Sequence, residues 1–167
     1  MPKRLAGSGL PWLWLSVLVV LADQASKGVA IAALAPARPL PVVPSLNLFL
    51  TYNRGISFSL LDGPGDLQRW LLAALAMAVA ALLTYGMSRL PRHRGFLAAA
   101  LALVIGGAVG NLIDRAAWGH VIDFIQLYYG DWSFAVFNIA DAAISTGAAL
   151  MLLDLLRGGG ILRNLRA

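Results

Sequence analysis

Four apolar runs, at about Leu10–Leu34, Leu67–Met87, Phe96–Ile113 and Val136–Leu156, leave this chain few folds to choose from. Each is close to the roughly 20 residues that a helix needs to cross a bilayer. Hydrocarbon offers no hydrogen bonds to an exposed backbone, so a spanning segment must satisfy its own, as a helix does. The predicted class is an all-α polytopic membrane protein with four transmembrane helices. These runs take up about half of the 167 residues. The remainder is too small for a separate soluble domain, so residues 1–167 read as a single integral membrane domain. Composition agrees: 13% of residues are charged and 59% hydrophobic, against about 25% charged in soluble domains.

Lys3 and Arg4 ahead of Leu10–Leu21 look like the start of a secretory signal. The apolar run continues to Leu34, long enough to span, so an uncleaved first helix is expected. Four spans place both termini on one side. Lys3, Arg4, Arg89, Arg92, Arg94, Arg157, Arg163 and Arg166 then share that side, eight of thirteen basic residues. By the positive-inside rule it is cytoplasmic. The +5 net charge reflects this topology rather than a nucleic-acid surface. Seven of the eight acids, all but Asp154, fall on or towards the outer side.

The outer segments are about Ala35–Asp66 and Asp114–Ala135. Pro36, Pro39, Pro41 and Pro44 disfavour helix in the first. Leu46, Leu48, Leu50 and Tyr52 alternate with Asn47, Phe49 and Thr51, a period of two that predicts a strand. Ile56–Leu60 is a candidate hairpin partner across an Asn53-Arg-Gly55 turn. A small outer β-sheet platform is therefore expected. The second segment carries Trp118, Tyr128, Tyr129, Trp132 and Phe134, which suit an anchor in the headgroup layer or a flap over substrate. Gly158–Gly160 read as a flexible end.

Cysteine and glutamate are absent and there are two histidines. Disulfides, thiolate chemistry and HExxH zinc sites are thereby excluded. Acidic chemistry rests on aspartate. Asp123, in Gly119-His-Val-Ile-Asp-Phe124, and Asp141, in Phe137-Asn-Ile-Ala-Asp-Ala142, lie near the outer ends of apolar segments. A carboxylate there is costly to desolvate and marks a functional site. Asp123 sits between Ile122 and Phe124, where burial opposes ionisation. Asp141 lies on the first turns of span four, some 7 Å deep at about 1.5 Å per residue, near the positive end of the helix dipole. One carboxyl and one carboxylate could share a proton as in aspartic peptidases. Spacing alone leaves open whether the two meet or are unrelated structural or ion-pathway acids.

Other polar groups accompany them. Asp23 and Lys27, four apart on span one, share a face and can pair. Gly106, Gly107 and Gly110, spaced with Ala102, allow close helix approach. Asn111, Asp114 and Arg115 follow at i, i+3 and i+4, with Asp114 the nearest partner for Arg115. Asn138 and Asp141, three apart, share a face. Gly63-Pro64-Gly65-Asp66 matches a GxGD pattern, but in a turn-rich loop Asp66 reads as a helix N-cap. His120 is a candidate general base, with no serine in a nucleophile-elbow context beside it.

Five motifs occur in order: Asp23-Gln-Ala-Ser-Lys27, Asn53-Arg-Gly-Ile-Ser-Phe58, Gly106-Gly-Ala-Val-Gly-Asn-Leu-Ile-Asp-Arg115, Val121-Ile-Asp-Phe124 and Phe137-Asn-Ile-Ala-Asp141. Together, over about Leu10–Leu156, they resemble the bacterial lipoprotein signal peptidase family, signal peptidase II. The resemblance implies an aspartic endopeptidase of the bacterial inner membrane that removes signal peptides from diacylglyceryl-modified prolipoproteins, cutting before the lipidated cysteine. It implies catalysis by Asp123 and Asp141, with Asn53, Gly55, Asn111, Arg115 and Asn138 lining the site. Asp23 and Lys27 match the first-span motif, and Asp114 falls within the third. Four helices with a small periplasmic β-platform are implied, with the active site at the periplasmic interface. So are sensitivity to globomycin-type inhibitors, contact with membrane lipids, and action as a monomer without metal or cofactor. The alternatives are a proton-coupled carrier subunit and a serine-type peptidase using His120. On the peptidase reading, the signal helix enters laterally from the bilayer and the scissile carbonyl lies at the outer interface, between spans three and four.

Overall fold

The computed structural model describes residues 7–36, 38–55 and 67–157. Four helices are long and apolar enough to cross a membrane. The first is a 3-10 turn, Leu10–Trp12, running into α1, Leu13–Ala33. Pro11 sits in the opening turn, where its missing N–H costs nothing. Leu34 turns extended, and Pro36 and Pro39 beyond it disfavour further helix. α2 is Leu67–Arg89, α3 is Gly95–Trp118 and α4 is Ile139–Leu156.

The largest departures from the apolar runs are at the end of α3 and the start of α4. α3 continues through Asn111, Asp114 and Arg115 to Trp118, because Asn111 and Asp114 find partners inside the protein. It stops at Gly119, whose φ of 79° suits a left-handed helix cap. α4 starts at Ile139, later than Val136, because Phe137 is held in a β-bridge to Ile125. Asp141 is therefore in the first turn.

α3 is the centre of the bundle. In its apolar window 61% of residues are buried, against 11% in α2. Its small residues explain how the backbones come together. A β-carbon on Gly106 would lie 2.8 Å from the Ser16 carbonyl oxygen of α1. One on Gly107 would collide with the Ala140 carbonyl oxygen of α4, and one on Gly147 of α4 would lie 2.7 Å from Ala100 O. α2 packs on α3 and keeps Leu67, Leu71, Leu75 and Leu82 exposed. Such a surface suits the apolar interior of a membrane. Met87, Ala98, Leu101, Ala102 and Ile105 form a core at the end where α2 and α3 connect. Arg94 and Asp154 pair there at 2.6 Å.

At the other end stands an antiparallel sheet in the order β1-β2-β3-β4, comprising Leu40–Val43, Leu46–Asn53, Val121–Tyr129 and Trp132–Ser133. β2 is the strand predicted from alternation. Its described neighbours are β1 and β3; the suggested partner Ile56–Leu60 lies outside the described residues, as do the proposed Asp66 cap and the Gly158–Gly160 end. A register shift between Leu48 and Thr51 interrupts the alternation. Beyond it Tyr52 is exposed, while Asn53 reaches Asp123. A bulge that re-aims a side chain beside a polar site is a familiar use of this irregularity. Ala30, Leu50, Ile122 and Phe124 form the core that fastens the sheet to α1.

Candidate active site

β3 and the start of α4 bring the two aspartates together. Phe137 N–H donates to Ile125 O at 3.0 Å, and Ile125 N–H to Phe137 O at 2.9 Å. This bridge fixes Asn138 beside the strand that carries Asp123. Asn138 then serves both carboxyls. Its Nδ2 donates to Asp123 Oδ1 at 2.6 Å, and its Oδ1 accepts from Asp141 N–H at 2.9 Å. Asp141 Oδ2 accepts from Asn138 N–H at 3.3 Å, closing a reciprocal capping box. Asn138 is fully buried.

Each carboxyl has a further amide donor. Asn53 Nδ2, on β2, donates to Asp123 Oδ2 at 3.1 Å. Asn111 Nδ2, on α3, donates to Asp141 Oδ1 at 2.7 Å. Four elements thus meet at the pair. Asp123 is 1% exposed. Burial and then the nearby Asp141 charge push its pKa up to about 7, against the opposing hydrogen bonds from Asn53 and Asn138 and the charge of Lys27. Burial thus favours the protonated form of Asp123.

Beneath the pair lies a buried charge network. Lys27 Nζ is 2.7 Å from Asp23 Oδ2 and 2.7 Å from Asp114 Oδ2. The expected pairing of Asp23 with Lys27 is present, and it extends to a third residue. Asp23 Oδ1 also accepts from Ala140 N–H at 2.9 Å, so a side chain of α1 caps α4. Asp114 Oδ2 accepts from Ile122 N–H at 3.1 Å, one residue before Asp123. Asp114 therefore belongs to Lys27, and the expected Asp114–Arg115 pairing is not among the ion pairs of the described residues. Adjacent helical residues point about 100° apart, so Asp114 turns inward while Arg115 turns to a groove. Gln24, not singled out by sequence reasoning, donates to Asp114 Oδ1 at 2.8 Å. Its place within Asp23-Gln-Ala-Ser-Lys27 was the available signal.

The groove holds about 440 Å³ and is walled by Leu72, Leu75, Ala76 and Val79 of α2, floored by Val104 and Ala108 of α3, and closed by Ile144 of α4. Asn53, Gly55, Asn111, Arg115 and Asp141 line its polar end. Arg115 Nη1 and Nη2 make only 3.5 Å contacts, to Asn111 O and Gly55 O, and its buried Nε has no partner among the described residues. The groove runs between α2 and α4 with α3 as its floor, while α3 and α4 meet backbone to backbone at Gly107 and Gly147. At the rim, Arg69 of α2 donates to Arg115 O and Ala116 O, each at 2.7 Å, tying α2 to the last turn of α3. His120 packs edge-on against Tyr52, 4.8 Å between centroids. Burial and Arg54 push its pKa down, and no serine hydroxyl reaches it among the described residues.

Comparison with known proteins agrees with this architecture. The chain matches the peptidase A8 family, signal peptidase (SPase) II, over residues 15–157. A lipoprotein signal peptidase of Pseudoalteromonas translucida is 44% identical over 95% of both chains. One from Pseudomonas fluorescens is 47% identical over 94% of both, and one from Pseudomonas aeruginosa 46% identical over 89% of both. A bacterial membrane enzyme solved by the in meso method at 2.3 Å resolution superposes with a TM-score of 0.80 at 27% identity, over 90% of each chain. A second, at 1.9 Å resolution, gives 0.77 at 28% identity, over 87% of this chain and 92% of its own. With four membrane-capable helices, an antiparallel sheet at one end of the bundle and this match along nearly its whole length, the chain belongs to the signal peptidase II family.

Proposed function

We propose that this protein is an aspartic endopeptidase that removes the signal peptide from diacylglyceryl-modified prolipoproteins. Asp123 and Asp141 are the catalytic pair. The observation that carries the reading is Asn138 joining both carboxyls at the polar end of an apolar groove. That groove opens sideways between α2 and α4, so an apolar signal segment can slide in from lipid. The scissile carbonyl then lies at the outer, periplasmic rim of the inner membrane, where water is available. This orientation follows the basic residues.

Asp123 begins protonated and Asp141 ionised. Water attacks the carbonyl carbon as Asp141 takes one of its protons and Asp123 gives its own to the carbonyl oxygen. The tetrahedral diol then collapses. One hydroxyl proton returns to Asp123, the proton on Asp141 passes to the departing nitrogen, and the C–N bond breaks. The products are a carboxyl on the signal peptide and a free amine on the lipidated cysteine. Positioning and general acid–base transfer provide the acceleration. Arg115 and Asn53 hold substrate backbone carbonyls; the unpartnered Nε of Arg115 supports this. Asp23, Lys27 and Asp114 position the pair through Ala140 and Ile122. Membership of a peptidase family favours hydrolysis over a proton-coupled carrier.

The test is incubation of the detergent-purified protein with a diacylglyceryl-modified prolipoprotein and with its unlipidated twin. Cleavage of the lipidated form alone is the expected result. Equal cleavage of both would remove the lipid requirement, and cleavage of neither would remove the activity.

A further inference from the structure

A second groove also opens on Asp141. It holds about 510 Å³ and lies between the segment Phe134–Phe137 with Leu127 on one side, and Ala142, Ser145 and Thr146 of α4 on the other. Asp141 and Ile144 line both grooves. A peptide bond held at Asp141 has two sides. If the signal segment fills the groove along α2, the residue after the bond is left with this one.

The hydroxyls here are unusual for the bundle. Ser16 donates to Ala102 O, Ser26 to Asp23 O, Thr84 to Ala80 O and Ser88 to Tyr85 O, at 2.6–2.8 Å. Ser145 and Thr146 are the only serine and threonine hydroxyls on the four helices with no hydrogen-bond partner among the described residues. Both are exposed, one turn below Asp141 or about 6 Å deeper along the helix. An unpaired hydroxyl in an apolar medium is costly. Two adjacent ones, facing an apolar groove beside the scissile position, match a ligand with two carbonyl acceptors and apolar tails. A glyceryl diester on the cysteine sulfur is such a ligand, a few bonds from the cleaved amide.

We propose that the second groove seats the diacylglyceryl group of the modified cysteine, with Ser145 and Thr146 donating to its ester carbonyls. This rests on the peptidase reading above. The same ester chemistry exists in bilayer phospholipids, and the test separates the two sources.

Cleavage kinetics are measured for wild type and a Ser145→Ala/Thr146→Val double variant. Each is given a prolipoprotein carrying either a diacylglyceryl or a dialkylglyceryl ether group. The ether lacks the carbonyl oxygens. Wild type should show a KM roughly tenfold higher for the ether, the effect of about two hydrogen bonds. The double variant should raise KM for the ester by a similar factor, leave the ether unchanged, and keep kcat within about twofold, so that the cycle isolates the contact. A wild-type KM for the ester in the variant overturns the proposal. So does an equal loss on both substrates, which is what a structural role or a bound phospholipid produces. If wild type cleaves both lipidated substrates with equal KM, the subsite fails and the peptidase stands. If it cleaves neither, both fail.

Discussion

Asn138 donates to Asp123 at 2.6 Å while its own side-chain oxygen caps the helix that carries Asp141. One amide thus sets the separation of two acids that are 18 positions apart in sequence. An alanine at 138 removes the cap and the donor together. Helix caps are worth about 1 kcal/mol and a buried orphaned acceptor costs about 1–3. Asn138→Ala should lower the unfolding temperature in detergent and reduce cleavage by about 10²-fold or more. Cleavage within twofold of wild type would separate this residue from the chemistry.

Asp123→Asn and Asp141→Asn should each cut turnover by at least about 10²-fold, the range of general acid–base catalysis. Both proteins should still insert and remain folded. A gel-shift assay on lipidated prolipoprotein reads the activity, and retained turnover in either variant rejects the pair.

The pH dependence has a definite sign. Burial raises the Asp123 pKa from 3.8 to about 7, so between those values the folded protein binds more proton than the unfolded chain. Stability must then fall as pH rises through that window, by roughly 4 kcal/mol at 1.36 kcal/mol per unit. Asp123→Asn should flatten the slope of unfolding temperature against pH between about 4 and 7. An unchanged slope would deny the elevation. Activity should follow a bell whose limbs belong to the coupled pair, with the alkaline limb near the point where Asp123 loses its proton.

Among the described residues, Lys27 is the one cation in an ion pair with Asp23 and Asp114, all three almost fully buried. Lys27→Met leaves two acids without their counter-charge. Removing one partner of a buried pair typically costs about 3–5 kcal/mol. Thermal unfolding should show a loss of this size, and a shift within a degree of wild type would contradict the network.

Gly107→Ala inserts a methyl group against the Ala140 carbonyl. Overpacking of this kind costs about 1–3 kcal/mol. Because Ala140 directly precedes Asp141, activity should fall further than Gly86→Ala, where an added methyl meets nothing within 4 Å. Equal behaviour of the two variants would contradict the tight α3–α4 contact.

Much of this was legible in the chain. Length and hydropathy delimit the spans because hydrocarbon allows so little else. The alternation of Leu46–Tyr52 announced β2. β3 was obscured, since Val121, Ile122 and Phe124 are all buried and no polar face alternates with them. Its aromatic end looked like an interfacial anchor. The i, i+4 spacing of Asp23 and Lys27 gave their pairing, but a spacing rule sees one helix at a time. It cannot show Asp23 reaching the amide of Ala140, or Asp114 choosing Lys27 over its neighbour Arg115. The α2–α4 opening was hidden for the same reason: glycine says that helices approach, not which pair.

α1, α3 and α4 are thus locked by backbone contact and internal charge, while α2 leans chiefly on α3 and is pinned near the rim by Arg69. On the proposed function, signal segments of unequal girth would all present their bond to the same fixed acids. Only one wall of the channel can yield to them. Tolerance for varied cargo and exactness of the cut therefore reside in different helices.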